Sequence, residues 1–99
     1  MAVLLDVLPA AAEEAREAAQ WYAARNLAAA VGFELEIRRA FSEIAATPER
    51  WPVHLEGTRR FLLDRFPYEV VYQSRADRVL VIAIAHCRRR PGYWRERAG

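Results

Sequence analysis

Lysine is absent from this chain: all 15 basic residues are arginine. A GC-rich coding preference would produce such a bias. Whatever its cause, every cation is planar, permanently charged and able to bind carboxylate or phosphate in bidentate fashion. Cysteine occurs once, as Cys87, which rules out an internal disulfide and is compatible with a reducing cytoplasm. The two serines, Ser42 and Ser74, lie outside any G-x-S-x-G setting, which argues against a nucleophile-elbow hydrolase. The four glycines are scattered, so no phosphate-cradling loop is present. His54, His86 and Cys87 are the available soft metal ligands. His86 and Cys87 are neighbours at a strand end and point to opposite faces, so neither a metal nor a cofactor is expected. No apolar run approaches the roughly 18 residues of a membrane span. Residues 1–8 lack the basic start of a secretory leader, so a cytoplasmic location away from membranes is expected.

What is present fits one domain over residues 1–99 with one core. Hydrophobic residues make up 54% of the chain, but many are alanines, so Leu, Ile, Val, Phe, Trp and Tyr must supply the bulk. The net charge of +2 hides an asymmetry. Residues 1–57 carry five arginines against nine acids, a net −4, whereas residues 58–99 carry ten against four, a net +6. Such a division suits a basic face meeting an acidic partner or nucleic acid.

Residues 2–8 are short, apolar and compatible with a strand, and Pro9 is placed to open a helix. From Ala10 to Arg25, Ala11, Ala15, Ala18, Ala19 and Tyr22 recur at helical spacing. Their small size calls for close approach by another backbone. Asn26 breaks the pattern. Ala30, Phe33, Ile37, Phe41 and Ile44 then form the stripe of a second helix over Leu27–Ala46, which ends at Thr47-Pro48. Residues 48–58 read as a loop. Strands are expected over Arg59–Phe66, Tyr68–Ser74 and Arg78–His86, the last apolar on both sides and therefore central. The expected fold is α+β: a two-layer β-α-α-β-β-β domain, with a helical hairpin on an antiparallel meander sheet and a short C-terminal segment.

The acidic pairs Glu13/Glu14 and Glu34/Glu36 read as solvated helix faces. Trp21, Tyr22 and Trp51 read as packing residues. His86 can hold the turn that follows it or transfer protons, and Cys87 beside Arg88 reads as a small strand-end residue. Arg88, Arg89 and Arg90 remain, leaving the last strand abruptly and followed by Pro91-Gly92 and the aromatics Tyr93 and Trp94. In a meander that end lies beside the Phe66-Pro67 turn, which would bring in Arg65. Arg59 and Arg60 would sit nearer the far end.

Two blocks carry a resemblance. Phe66-Pro67-Tyr68-Glu69-Val70-Val71-Tyr72 and Ala85-His86-Cys87-Arg88-Arg89-Arg90-Pro91-Gly92-Tyr93-Trp94, with an alanine-rich first helix ending in Trp21-Tyr22, resemble the ParE/RelE superfamily of toxins from type II toxin–antitoxin (plasmid stabilisation) systems. The resemblance implies a ParD-like antitoxin that wraps the toxin in a hetero-oligomer. It also implies one of two targets. ParE-like members poison DNA gyrase, whereas RelE-like members cut messenger RNA on the ribosome. RelE-type nucleases place an arginine after the tyrosine that opens the middle strand, where this chain has Glu69. They also carry two alternating basic residues on the preceding strand, where Arg60 keeps one position and Leu62 occupies the other. The ParE-like branch is therefore favoured, a protein-binding inhibitor rather than an enzyme, contacting its partner through Arg88, Arg89, Arg90, Tyr93, Trp94, Arg65 and Arg60. On the nuclease alternative, Arg88, His86, Tyr93 and Arg60 would form the catalytic set.

Overall fold

The computed structural model describes residues 2–99. Strand β1 (Leu4–Val7) leads into helix α1 (Pro9–Ala23) and helix α2 (Leu27–Ala46). Strands β2 (Arg59–Leu62), β3 (Tyr68–Ser74) and β4 (Arg78–His86) follow, with single 3₁₀ turns at Leu55–Gly57 and Arg95–Arg97. The order β-α-α-β-β-β is the expected one. β2, β3 and β4 form the antiparallel meander, and β1 adds to it as a parallel neighbour of β4. The sheet is therefore mixed, in the order β1-β4-β3-β2.

Local chemistry explains the element ends. Pro9 occupies the first turn of α1, where its missing N–H costs nothing. The Asn26 side chain accepts the Ala29 N–H and caps α2. The second strand is shorter than expected, stopping at Leu62 rather than Phe66. The cause lies in α2: the Glu36 carboxylate accepts the N–H groups of Asp64 and Arg65 at 2.7 and 3.2 Å and pulls the chain out of the ladder.

Both faces of the sheet are covered. The helical stripes (Ala11 and Ala18; Phe33, Ile37, Ala40 and Ile44) pack on Val70, Tyr72, Val79, Val81 and Ile84. The alanines of α1 let that helix lie close against β4, as their size requires. The opposite face, with Val71, Ile82, Ala83 and Ala85, is closed by Trp94 together with Leu55 and Tyr93. The register slips by one residue beside Val71/Tyr72, where Val71 faces Ala83 but Tyr72 faces Val81. The extra residue is Ile82, and this bulge puts Ile82 and Ala83 in one cluster, with Val81 and Ile84 in the other. β4 is thus central and double-faced, which accounts for its unbroken apolar run.

Candidate functional site

β4 ends at His86, and the chain turns at once. The Cys87 N–H reaches the Pro67 carbonyl at 2.8 Å, and the Arg89 N–H closes on the His86 carbonyl at 2.9 Å. The His86 Nδ1 accepts the Arg88 N–H at 3.0 Å, and its ring stands edge-on to Tyr68 with centroids 5.0 Å apart. The imidazole thus shapes the turn that presents the arginines. Arg88, Arg89 and Arg90 are all exposed. Among the described residues Arg88 and Arg90 form no ion pair, and Arg89 has only a 3.8 Å approach to Glu14.

The strap after the arginines is rigid for identifiable reasons. Gly92 adopts φ +77°, a left-handed conformation suited to glycine. Trp94 is 2% exposed and forms the keystone of the second core. The Tyr93 hydroxyl donates to Glu14 at 2.6 Å, and Arg97 donates to the same carboxylate at 2.9 and 3.2 Å. The Arg89 guanidinium lies 3.8 Å from the Tyr93 ring centroid, a cation–π contact. Burial, then the bond to Glu14, pushes the Tyr93 phenol far above its ordinary value. Its hydroxyl proton is committed to the Glu14 carboxylate.

Glu14 corrects the reading of solvated helix faces. Its side chain is 11% exposed and also accepts the Ile84 N–H at 3.1 Å. Glu36, at 10% exposure, corrects it a second time, holding Arg65 at 3.3 Å besides the two N–H groups that end β2. Glu13 and Glu34 are exposed as expected. Trp21 corrects the packing reading. It is 53% exposed at the rim of a groove of about 440 Å³ between α1 and the end of β4, with the Arg25 guanidinium 3.7 Å above its ring. Tyr22 and Trp51 do pack against the core.

The predicted cluster is rearranged. Arg65 sits at the expected end of the sheet, but its side chain turns to α2 and Glu36, away from the arginine run. Arg60, expected at the far end, instead borders a small cleft with Arg89, Arg90 and Cys87 on the sheet face opposite the helices. The Trp94 ring, expected on the contact surface, is buried in the second core and supports the strap from beneath.

Glu69 lies in the same cleft at 12% exposure, 3.7 Å from both Arg60 and His54. That contact favours a charged His54, yet burial outweighs it, and Arg60 both repels the imidazolium and shares the carboxylate. The net effect lowers the His54 pKa. Burial, with Glu69 adding to it, raises the Cys87 thiol pKa, so this thiol is not activated. The sequence reading missed His54 as a cleft residue. It is placed by the loop, where its N–H bonds the Thr58 carbonyl at 2.8 Å. No group of three or more metal-ligating side chains forms among the described residues, and no described helix is long and apolar enough to cross a membrane.

A helical hairpin on a four-stranded mixed sheet, closed on its second face by a C-terminal strap that follows a run of arginines, defines a small α+β fold. The chain belongs to the family described as ParE toxin of type II toxin-antitoxin system, parDE, whose family model matches residues 5–91. Among solved structures it is similar to one described as the chromosomal ParDE TA system from P. aeruginosa. That likeness is of fold, with a TM-score of 0.75 at 15% identity over 85% of this chain and 95% of the other. No curated protein sequence gives a significant match.

Proposed function

We propose that this ParE-type toxin arrests growth in the cytoplasm as a single domain that binds and poisons DNA gyrase, and that a cognate ParD-like antitoxin neutralises it in a hetero-oligomer. One observation carries the reading. Arg88 and Arg90 have no carboxylate partner among the described residues, yet they stand on a strap immobilised by Trp94 and by the Tyr93–Glu14 bond. Arginines and aromatics fixed before binding lose little entropy when they meet a partner, and these residue types dominate binding hot spots. Arg88, Arg89, Arg90 and the Tyr93 ring form the principal contact, with Arg60 flanking it across the cleft and Arg65 at the neighbouring turn. The test is a gyrase supercoiling and cleavage-complex assay with purified toxin, with and without ATP. Inhibition with trapped DNA breaks is the expected result. Full supercoiling at high toxin excess, with the protein shown folded, defeats the proposal.

The runner-up is ribosome-dependent messenger RNA cleavage. It gains from the meeting of Arg60 with His86, Arg89 and Tyr93 around one cleft. It loses from Glu69, whose negative charge in that cleft repels a phosphodiester, and from the Tyr93 hydroxyl, which is committed to Glu14. Mapping transcript ends in growth-arrested cells separates the two.

A further inference from the structure

The three arginines after β4 do not act as one group. Arg89 lies over the Tyr93 ring and approaches Glu14 at 3.8 Å, on the groove side of the strap. Arg88 and Arg90 are exposed and have no carboxylate partner among the described residues. They are two residues apart, so their Cα atoms lie within about 7 Å of each other. Another arginine joins them from further along the chain. Arg95 borders the same open depression as Arg90, a hollow of about 490 Å³ over Pro91, Gly92 and Tyr93. Gly92 is what admits it, because a Cβ there would stand 2.9 Å from the Arg95 Nε. Arg95 has one ion-pair contact, with Glu56 at 3.5 Å, and both side chains are at least half in water. Such a pair holds little and opens readily to another anion.

Arg88, Arg90 and Arg95 thus form a row of cations with little apolar surface around it. Trp94 is buried, and the Tyr93 ring is covered by Arg89. A protein–protein contact has a centre poor in charge, whereas a protein–DNA contact is polar and strongly positive. The rest of the molecule agrees. The exposed acids Glu13, Glu17 and Glu34 stand on the two helices, and the free arginines stand on the strap. The charge asymmetry of the sequence is laid out in space as an acidic layer and a basic one, which turns the strap toward a polyanion.

We propose that Arg88, Arg90 and Arg95 bind the phosphate backbone of duplex DNA, while Arg89 and the Tyr93 ring face protein. Each guanidinium can take two oxygens of one phosphate in its planar fork. Backbone contacts of this kind fix position without reading base sequence, so one site in DNA serves as well as another. The strap is ordered before binding by Trp94 and by the Tyr93–Glu14 bond, so the row loses little freedom on contact. Glu96 also borders the depression, and its charge opposes a phosphate there. The inference rests on the gyrase reading for the source of the DNA: the toxin would grip the DNA segment that gyrase holds as well as the enzyme itself.

The test uses the full chain and a short DNA duplex of mixed sequence, with binding followed by fluorescence anisotropy between about 50 and 200 mM salt. The expected slope of log affinity against log salt is about −2.7, from three phosphates at about 0.9 each. Arg88→Ala, Arg90→Ala and Arg95→Ala should each make it shallower by about 0.9, with the denaturation midpoint unchanged. Arg38→Ala, at an exposed arginine on α2, should leave the slope as it is. Glu96→Gln should tighten binding. A slope that the three strap substitutions leave alone, or that Arg38→Ala makes equally shallow, overturns the proposal. Loss of binding to DNA-free gyrase in the triple strap variant also overturns it, since the row then meets protein acids, and leaves the gyrase reading standing. The expected slopes with supercoiling unaffected overturn the gyrase reading and leave the phosphate surface.

Discussion

The Tyr93 hydroxyl and the Glu14 carboxylate, 79 residues apart in the chain, meet at 2.6 Å. That bond joins the first helix to the C-terminal strap, and Arg97 on the same carboxylate makes it charge-assisted. The arginine run is thereby tied at both ends, by the His86 turn before it and the Glu14 clamp after it.

Glu14→Gln is expected to destabilise the fold by about 2–3 kcal/mol, because it leaves Arg97 without its counter-charge in a part-buried site. The cost stays below that of a fully buried pair because 26% of the Arg97 side chain remains in water. Urea denaturation at pH 7 measures it. Glu13→Gln, one residue away but exposed, should leave the midpoint unchanged.

Trp94→Ala and the arginine substitutions should separate fold from function. Removing the buried indole should cost about 3–5 kcal/mol and abolish toxicity through loss of structure. Arg88→Ala and Arg90→Ala should leave the denaturation midpoint where it is and weaken the proposed gyrase inhibition at least about tenfold, the size expected of hot-spot residues. Retained inhibition in the folded Arg88→Ala, Arg90→Ala double variant would falsify the contact assignment.

His54 should make stability depend on pH just below neutrality. Burial lowers its pKa in the folded chain relative to the ordinary value of 6.5. As pH falls below about 6.5 the unfolded chain binds a proton that the folded chain resists, so stability present above that value declines. The urea midpoint should therefore fall between pH 7 and pH 5.5, before ordinary carboxylates titrate, and His54→Gln should flatten that slope.

Gly92→Ala should cost about 1–2 kcal/mol through the left-handed backbone alone. Its φ is +77°, and an added Cβ would also approach the Arg95 Nε to 2.9 Å. The far end of the arginine side chain can move aside, so the backbone term dominates. Gly57→Ala, at φ +69° with open space around it, is a control for the backbone term without crowding. Thermal or urea unfolding of the two variants distinguishes the contributions.

Several elements were readable before folding because their signals are local. The stripe Ala30–Phe33–Ile37–Phe41–Ile44 recurs at helical spacing; all but the half-buried Phe41 are buried on α2, where Ala40 joins them. The run Val79–Ala85 has no polar residue to face water, so it had to lie between two covered faces. Glu14 offered no such signal. It sits beside Glu13 in the same acid-rich turn, and nothing within a helical window distinguishes the two. What separates them is Tyr93 and Arg97 returning from the far end of the chain. The burial of Trp94 and the place of Arg60 beside Arg89 and Arg90 had no local signal for the same reason, since both depend on contacts between distant segments.

Composition, periodicity and two motif blocks were enough to specify the order of elements, the α+β class and the ParE-type character. Each depends on residues close in sequence, or on motif blocks readable in sequence. Folding alone selected which charges are buried and which stay free. Glu14, Glu36 and Glu69 became structural, while Arg88 and Arg90 were left without a carboxylate partner among the described residues. Whether a charge is paired depends on distance in space, and local pattern carries little information about contacts between residues dozens of positions apart.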